Sequence, residues 1–496
     1  MATGRATIAI LVVLLAASTA IGQQAIMPGN MPRISEIDPR FQSYNIEMVE
    51  ITGGRFWKPY GAGTRPDREL YAERPPIDLA NMRLRKLAAA LGPAYMRVSG
   101  TWANATYFED SDAPGGAPPA GYNSVLTRRE WRAVVDFAAS VDARIVTSFA
   151  VSPGSRDASG AWKPEQAEHL VGYTRSLGAH IAAAELMNEP DLAPRNAAPS
   201  GYDAVAYGRD FRAFRAFMKS ASPETLIAGP GSIADTTPLS SGLDPRDLLA
   251  ASGRDLDVIS YHHYGTLSPR CGGRDRPMQA LTDAWLARTG KALAVYKSLR
   301  DQYAPGRPIW LTETADAACG GNAWDATFLD SFRYLDQLGR LAKAGVQVVM
   351  HNTLSGSDYG LLDERTFAPR PNYWAALLWH RVMGTTVLDA GASTQSGLHL
   401  YAHCDSGKSG GVTILAINAS DKPQAVTLPL SAMRYTLQAT RLQSSTVQLN
   451  GRTLALGEKD AMPDITGIPN TAGTMIFAPR TITFLAIPNA ANPACH

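Results

Sequence analysis

Two short runs of the sequence place carboxylates directly after apolar stretches. The run "AAAELMNEPDL" carries Glu185, Glu189 and Asp191 around an Asn-Glu-Pro tripeptide, and the run "IWLTETA" carries Glu313. A carboxylate in such a place is either a solvated loop residue or part of a site. Two carboxylates that meet at one cleft can serve as proton donor and as nucleophile or base, which is the chemistry of glycosidic bond hydrolysis.

The elements that would position these carboxylates alternate between strands and helices. Most gaps between the strands hold segments with apolar residues at i, i+3, i+4 and i+7, which is typical of helices with one buried face. Eight such units fit a (β/α)₈ TIM barrel, whereas a doubly wound open sheet would favour a Gly-rich phosphate loop that the sequence lacks after its first strand. The eight predicted strands are residues 43–51, 94–100, 144–151, 182–188, 226–230, 257–265, 308–315 and 346–352.

The sequence changes character after about residue 385. Runs such as "GVTILAIN" and "TITFLAI" alternate with Gly, Asn, Ser and Pro and show no helical period. They predict an all-β sandwich appended to the α/β barrel. The predicted organisation is therefore a barrel over 43–385 and a sandwich over 386–496, joined by a strand from 25–42.

The N-terminal residues 1–22 have the layout of a secretory signal peptide. Arg5 precedes an apolar run over 8–17, which is followed by small residues and is too short to span a bilayer. No later segment is apolar enough for a membrane span. We therefore expect a secreted or periplasmic protein. The formal net charge of +2 gives no indication of nucleic acid as a partner.

Barrel geometry brings the two carboxylate runs together. In a (β/α)₈ barrel the chemistry lies at the carboxyl ends of the strands. Glu189 follows the fourth strand and Glu313 ends the seventh, so their side chains are expected to face each other across the barrel mouth. The pair His262-His263 could suggest a metal, but no third ligand stands at a recognisable spacing, and we expect no metal and no cofactor.

These runs also carry a resemblance to a known family. "ELMNEP" and "WLTET" resemble the two signatures of the retaining (β/α)₈ glycosidases. "AYMRVSGT", "SYHHYG", the doublet "GG" after "ET", and "DYGLLDE" followed by "PRPNYW" are similar to glycoside hydrolase family 79, the heparanase-like β-glucuronidases. The likeness covers roughly residues 35–385, and the predicted sandwich with its cysteines extends it to the C-terminus.

The resemblance implies roles for the residues at the mouth. Glu189 would be the acid/base and Glu313 the nucleophile. Asn188 would bind the sugar 2-hydroxyl, and Tyr264 would hydrogen-bond Glu313, with His262 nearby.

A second group would hold the sugar itself. Gly320, Gly321 and Tyr359 match the positions that bind the glucuronate carboxylate in the family. Thr101 and Glu47 would line the same subsite.

The implied activity is a retaining endo-β-glucuronidase that cleaves an anionic uronic-acid polysaccharide such as heparan sulfate, as a monomer. An exo-β-glucuronidase and a catalytically inactive carbohydrate-binding protein are the alternatives. Arg270, Arg274 and Arg276 lie in a predicted catalytic-face loop. They would either bind anionic groups of the polymer or be scattered surface charge.

The four cysteines, an even number, suit an exported chain. Sequence alone leaves three pairings open. Alongside what the family resemblance implies, we expect two disulfide bonds. Cys271 would bond to Cys319, because both belong to loops on the catalytic face. Cys404 would bond to Cys495, since they lie near the two ends of the sandwich.

Overall fold

A computed structural model describes residues 25–61, 70–112, 115–233, 242–391, 393 and 396–496. The predicted signal peptide, residues 1–22, lies outside these. Among the described residues, no helix is both long and apolar enough to cross a membrane.

A closed barrel of eight parallel strands forms the first part of the chain, which confirms the predicted fold class. Each predicted strand run overlaps one barrel strand. Three strands, β5, β6 and β7, continue past the predicted ends, and they stay paired out to Ile233, Leu267 and Ala318. The strands are β1 (Gln42–Glu47), β2 (Ala94–Ser99), β3 (Ala143–Ser148), β4 (Ile181–Glu185), β5 (Leu226–Ile233), β6 (Val258–Leu267), β7 (Ile309–Ala318) and β8 (Val348–His351).

A helix follows each barrel strand and packs on the outside of the barrel. Short helices at Met48–Thr52 and Asp283–Leu286 lie in the connections after β1 and β6. The outer helices are α1 (Met82–Ala89), α2 (Arg128–Ser140), α3 (Glu165–Ser176), α4 (Ala204–Ala221), α5 (Pro245–Ser252), α6 (Arg288–Tyr303), α7 (Phe328–Lys343) and α8 (Pro371–Val382).

The barrel interior is apolar at the bottom and charged near the top. Successive side chains of a strand point to opposite faces, so every second residue lies inside. On β2, Tyr95 belongs to the apolar bottom layer with Trp310 and Val146, whereas Arg97 lies one layer above. The polar side chains of the strands therefore collect at the carboxyl ends, where barrel sites form.

The C-terminal region consists of a large antiparallel sheet and a two-stranded sheet packed on it. Along the strand Val412–Asn418, Ile414 and Ala416 face the small sheet, while Leu415 and Ile417 join the core shared with the barrel helices. The large sheet contains Arg33–Glu36, Met383–Leu388, Leu398–Asp405, Val412–Asn418, Ala432–Gln438, Gln448–Leu449, Arg452–Thr453, Ile468–Asn470 and Thr481–Ile487; the small sheet contains Gln424–Leu428 and Gly473–Phe477.

Two disulfide bonds close loops in both regions. Cys271 is bonded to Cys319 on the catalytic face of the barrel. Cys404 is bonded to Cys495 and ties the C-terminus to the large sheet.

Candidate active site

Glu189 and Glu313 lie side by side at the barrel mouth. Glu189 follows β4 by four residues, whereas Glu313 lies in the middle of β7 and not at its end as predicted, because β7 continues to Ala318. Both are buried, with 6% and 5% of their surface exposed. A carboxylate oxygen of Glu189 lies within 4.8 Å of one of Glu313. The backbone of Glu189 is left-handed (φ 45°), and Pro190 after it begins a short 3-10 helix. A register shift in the pairing of β7 with β8, between Leu311 and Thr314, lies at Glu313, and such irregularities re-aim side chains at barrel rims.

Two hydrogen-bond donors hold Glu313. Tyr264 donates to Oε1 at 2.6 Å, and Arg97 Nη1 donates to Oε2 at 2.9 Å. Burial, together with the charge of Glu313, raises the pKa of Tyr264 well above its ordinary value, so the phenol keeps the proton that it donates. These two donors fix the orientation of the Glu313 carboxylate at the mouth.

Glu189 has a different environment, because the burial of its carboxyl group away from water has the largest effect on its pKa. Burial raises the pKa of Glu189 to about 7, and Arg97 and Asn196 only partly oppose this effect. His262 Nδ1 lies 3.0 Å from Glu189 Oε1 and 3.7 Å from Glu313 Oε2. Since burial lowers the pKa of His262 to about 4, the ring between the two glutamates is neutral. Glu189 is thus able to hold a proton beside the second carboxyl group of the mouth.

Asn188 is fixed by two partners. Arg97 Nη2 donates to Asn188 Oδ1 at 2.8 Å, and Asn104 exchanges two hydrogen bonds of 2.9 Å with the Asn188 backbone. Because the amide oxygen is already engaged, the amide N–H groups are the part of Asn188 that is left to reach a ligand.

Glu47 lies at the end of β1 and is also buried. Burial first, and then the charges of Glu313 and Glu50, raise the pKa of Glu47 well above its ordinary value. A Cβ at Gly100 would overlap Glu47 Oε2, so only glycine leaves room for this carboxyl group. Thr101 follows Gly100 and is exposed at the rim.

The predicted carboxylate-binding group also comes together. Gly320 and Gly321 adopt left-handed backbones, with φ 78° and 83°. A Cβ on Gly321 would lie 3.3 Å from Tyr359 Cδ1, so this glycine packs against the tyrosine. Ser357 Oγ donates to Gly320 O at 3.1 Å and holds the two loops together.

The prediction for Arg270 as an exposed anion contact needs correction. Its guanidinium is buried, stacks on the Tyr60 ring at 3.8 Å and donates to Gly320 O at 2.9 Å and to Lys58 O. Arg270 therefore braces the loop that carries the glycine pair. Arg274 and Arg276 are exposed, as surface anion contacts require.

Asn104 and Asn352 were missed by the sequence reasoning. Asn352 follows β8 and donates to Tyr264 Oη at 3.0 Å, which turns the tyrosine proton towards Glu313. The polar "HN" after the apolar run of β8 was a usable signal, because polar residues also follow the apolar runs of β4, β6 and β7. Asn104 had no comparable signal.

Two groups of described residues bring three metal-type ligand atoms within 4.8 Å: Glu189, His262 and Glu313 at the mouth, and Asp316, Asp325 and Asp330 behind it. In the first group Arg97 already supplies a positive charge. In the second, Arg333 and Asn372 occupy the oxygens of Asp330. In each group, an arginine therefore pairs with one of the carboxylates that a metal cation would otherwise bind.

The comparisons with known proteins agree with this geometry. The description "Glycosyl hydrolase family 79, N-terminal domain" matches residues 121–339, which include Glu189 and Glu313. Bos taurus heparanase is 27% identical, over 92% of this chain and 90% of that protein.

The chain is similar to glycosyl hydrolase family 79 over residues 121–339, and it is a glycoside hydrolase. The baicalin-β-D-glucuronidase of Scutellaria baicalensis is 28% identical over 67% of this chain and 63% of its own length. Among solved structures, a 4-O-α-L-rhamnosyl-β-D-glucuronidase from Fusarium oxysporum 12S has the same fold. Its TM-score is 0.66 at 14% identity, and the match covers 92% of this chain and 99% of that one.

Proposed function

We propose that this glycoside hydrolase is a retaining β-glucuronidase in which Glu313 is the nucleophile and Glu189 the acid/base. The observation that carries the proposal is the approach of the two carboxylates to within 4.8 Å. Retaining glycosidases hold their carboxyl groups about 5 Å apart, whereas inverting enzymes leave roughly 6.5–9.5 Å for a water molecule.

The proposed reaction has two displacements. Glu313 attacks the anomeric carbon while Glu189 gives its proton to the departing glycosidic oxygen, so that bond breaks and a glycosyl-enzyme ester forms. Water then enters and Glu189 removes its proton. The resulting hydroxyl attacks the anomeric carbon, which releases the sugar with its original configuration and regenerates both carboxyl groups. Asn188 is the proposed ligand of the 2-hydroxyl, with Tyr264 and His262 keeping the two glutamates in place.

The proposed substrate carries a β-linked glucuronic acid. Support comes from Gly321 and Tyr359, which pack against each other, and from the position of Tyr359 near Glu47 and Glu313. Residues 319–320 form a turn, and successive backbone N–H groups of a turn can bind an anion such as a carboxylate. Glu47 and Thr101 are the proposed contacts to the sugar ring.

Endo cleavage of heparan sulfate is the favoured form of this activity. It is supported by the bovine relative, whose name is heparanase, and by the exposed pair Arg274 and Arg276, which could contact an anionic polymer. Release of terminal glucuronate is the alternative, and the baicalin-β-D-glucuronidase relative favours it. The two disulfides support an action outside the cytoplasm.

Incubation of the purified chain with heparan sulfate tests these forms. A rapid fall in mean chain length with little free glucuronate would support endo cleavage. Free glucuronate without shortening would support the exo alternative. Glu313→Gln should abolish turnover and leave the fold and polymer binding intact. Near-normal hydrolysis by that variant would refute the mechanism, and polymer binding without hydrolysis by the wild type would favour a binding protein.

A further inference from the structure

Glu185 is a fully buried carboxylate one layer below the mouth, at the end of β4. Its Oε2 accepts two hydrogen bonds from Arg97, from Nε at 3.0 Å and from Nη2 at 2.9 Å. Its Oε1 accepts from Ser260 at 2.7 Å and from Thr312 at 3.2 Å. A buried charge is stable only with such partners, so Glu185 is an ionised group whose two oxygens are both engaged.

Arg97 connects Glu185 to the reacting groups. The two contacts with Glu185 fix the plane of the guanidinium, because its donors form a rigid fork. The remaining directions of the fork lead to Glu313 Oε2 at 2.9 Å and to Asn188 Oδ1 at 2.8 Å. A rotation of Arg97 would therefore move a donor away from the nucleophile and free the Asn188 amide to turn over.

Charge adds to this geometry. Burial raises the pKa of Glu189 to about 7; the charge of Arg97 opposes that rise and the charge of Glu185 supports it. The pKa of Glu185 itself would rise on burial, but the charge of Arg97 and the hydrogen bonds from Ser260 and Arg97 hold it below its ordinary value. Loss of the Glu185 charge would thus leave Arg97 less compensated beside Glu189.

We propose that Glu185 is a positioning residue of the glycosidase site, which orients Glu313 and Asn188 through Arg97 and helps Glu189 to keep its proton. This inference rests on the proposed function. The titratable and charged groups that face the acid/base and its surroundings are Glu47 on β1, Arg97 on β2, Glu185 on β4, Asp191 after β4, His262 and Tyr264 on β6, and Glu313 on β7.

The test compares Glu185→Gln with the wild type across pH on an aryl β-glucuronide with a poor leaving group, whose cleavage needs the proton of Glu189. We expect kcat to fall by about tenfold or more and KM to change little. The alkaline limb of kcat/KM should move to lower pH, because the less compensated charge of Arg97 would lower the pKa of Glu189. A shift of one pKa unit corresponds to a tenfold change in proton affinity. Glu185→Asp keeps the charge but retracts it by one methylene. It should lower kcat and leave the alkaline limb of kcat/KM at the same pH. This second variant keeps the proposal testable if Glu185→Gln fails to fold.

Asp210→Asn is the matched control. Asp210 on α4 is equally buried and pairs with Arg156 at 2.7 Å, so its variant measures the cost of neutralising a buried ion pair away from the mouth. If Glu185→Gln lowers kcat with no shift of the limb, or no more than Asp210→Asn does, the inference is wrong. An inactive wild type on the glucuronide would instead count against the proposed function, and the same comparison would then use whichever aryl glycoside the wild type cleaves.

Discussion

Glu189 combines a buried carboxyl group with a strained backbone. A left-handed conformation costs a residue other than glycine about 1–3 kcal/mol and persists only where the surroundings impose it. Here the fixed ring of Pro190 and a 3-10 helix follow directly, and Leu192 N donates to Glu189 O at 3.0 Å. This local structure turns the carboxyl group into the mouth and away from water, which favours its protonated form.

The first prediction concerns the pH dependence that Glu189 imposes. Because its pKa is raised to about 7, Glu189 keeps its proton through the mildly acidic range and loses it as the pH rises through 7. The alkaline limb of kcat/KM on a polysaccharide should therefore lie near pH 7. Glu189→Gln should remove that limb and reduce activity on the polysaccharide by about 10²–10⁴-fold, but reduce it far less on aryl glycosides with good leaving groups.

Asp191→Asn serves as the control for this experiment. Asp191 is also buried, and burial followed by the charge of Glu189 raises its pKa well above the ordinary value, but its carboxylate accepts the N–H of Ile233. Its variant should keep the alkaline limb. Equal losses of Glu189→Gln on both substrate types would contradict the acid/base assignment.

The sequence allowed the carboxylates of the site to be predicted more readily than its asparagine side chains. Glu189 and Glu313 could be placed because each follows an apolar strand run, and barrel topology brings strand ends together. Asn104 contacts Asn188 across 84 residues, and Asn352 contacts Tyr264 across 88 residues. No spacing along the chain encodes such contacts, since they depend on how far each loop folds back over the mouth.

At the scale of elements, the loop after β7 depends on its glycine pair. Cys319, Gly320 and Gly321 are three successive left-handed residues, and the disulfide to Cys271 anchors the first of them. A Cβ on Gly321 would fall on Asp325 Oδ2 and crowd Tyr359, so the loop must shift to accept a side chain.

We predict that Gly321→Ala weakens recognition of the glucuronate carboxylate. KM for an aryl β-glucuronide should rise several-fold more than KM for the matching aryl β-glucoside, because only the former presents a carboxylate to this loop. Gly306→Ala is the control. Gly306 has a similar φ of 80° and open space around it, so this variant introduces backbone strain without pushing any neighbouring atom aside. A similar rise of both KM values, or the same effect in Gly306→Ala, would exclude a role in carboxylate recognition.

The strand pattern allowed the eight barrel strands to be located, but it did not indicate their lengths. Thr266 pairs with Ala317 and Leu267 with Ala318, beyond the predicted ends of β6 and β7. Hydrogen bonds between backbones create this extension, and the residues concerned have no strong strand preference. The irregular register near His262 and Glu313 escaped prediction for the same reason.

At the scale of the whole molecule, a group of charged side chains around His399 is one of the contacts that link the sandwich to the barrel. His399, on the sheet strand Leu398–Asp405, lies with Nδ1 2.5 Å from Asp336 Oδ1 on α7 and with Nε2 2.9 Å from Asp283 Oδ1. Tyr401 also donates to Asp336, at 2.6 Å. A neutral imidazole has only one N–H, so donation to two carboxylates requires the imidazolium form. The sequence could predict the barrel and the β-rich C-terminal region but not this contact, which joins His399 to residues 63 and 116 positions away.

The last prediction is that this contact makes stability pH-dependent. Burial alone would lower the pKa of His399, but Asp336 and Asp283 raise it above the ordinary value. Stability from a raised pKa is fully present below the unfolded-state value of about 6.5 and is lost as the pH rises through the folded-state value. His399→Gln should therefore lower Tm by roughly 2–4 °C at pH 6, and by clearly less at pH 9.

His403 provides the comparison on the same strand. Its Nδ1 lies 2.7 Å from Gly384 O, and burial lowers the pKa of His403 to about 4, so the ring is neutral at both pH values. His403→Gln should lower Tm equally at pH 6 and pH 9. A gap between the wild type and His399→Gln that does not narrow with rising pH would mean that His399 contributes packing rather than charge to the interface, and would leave the two domains without a pH-dependent link at this position.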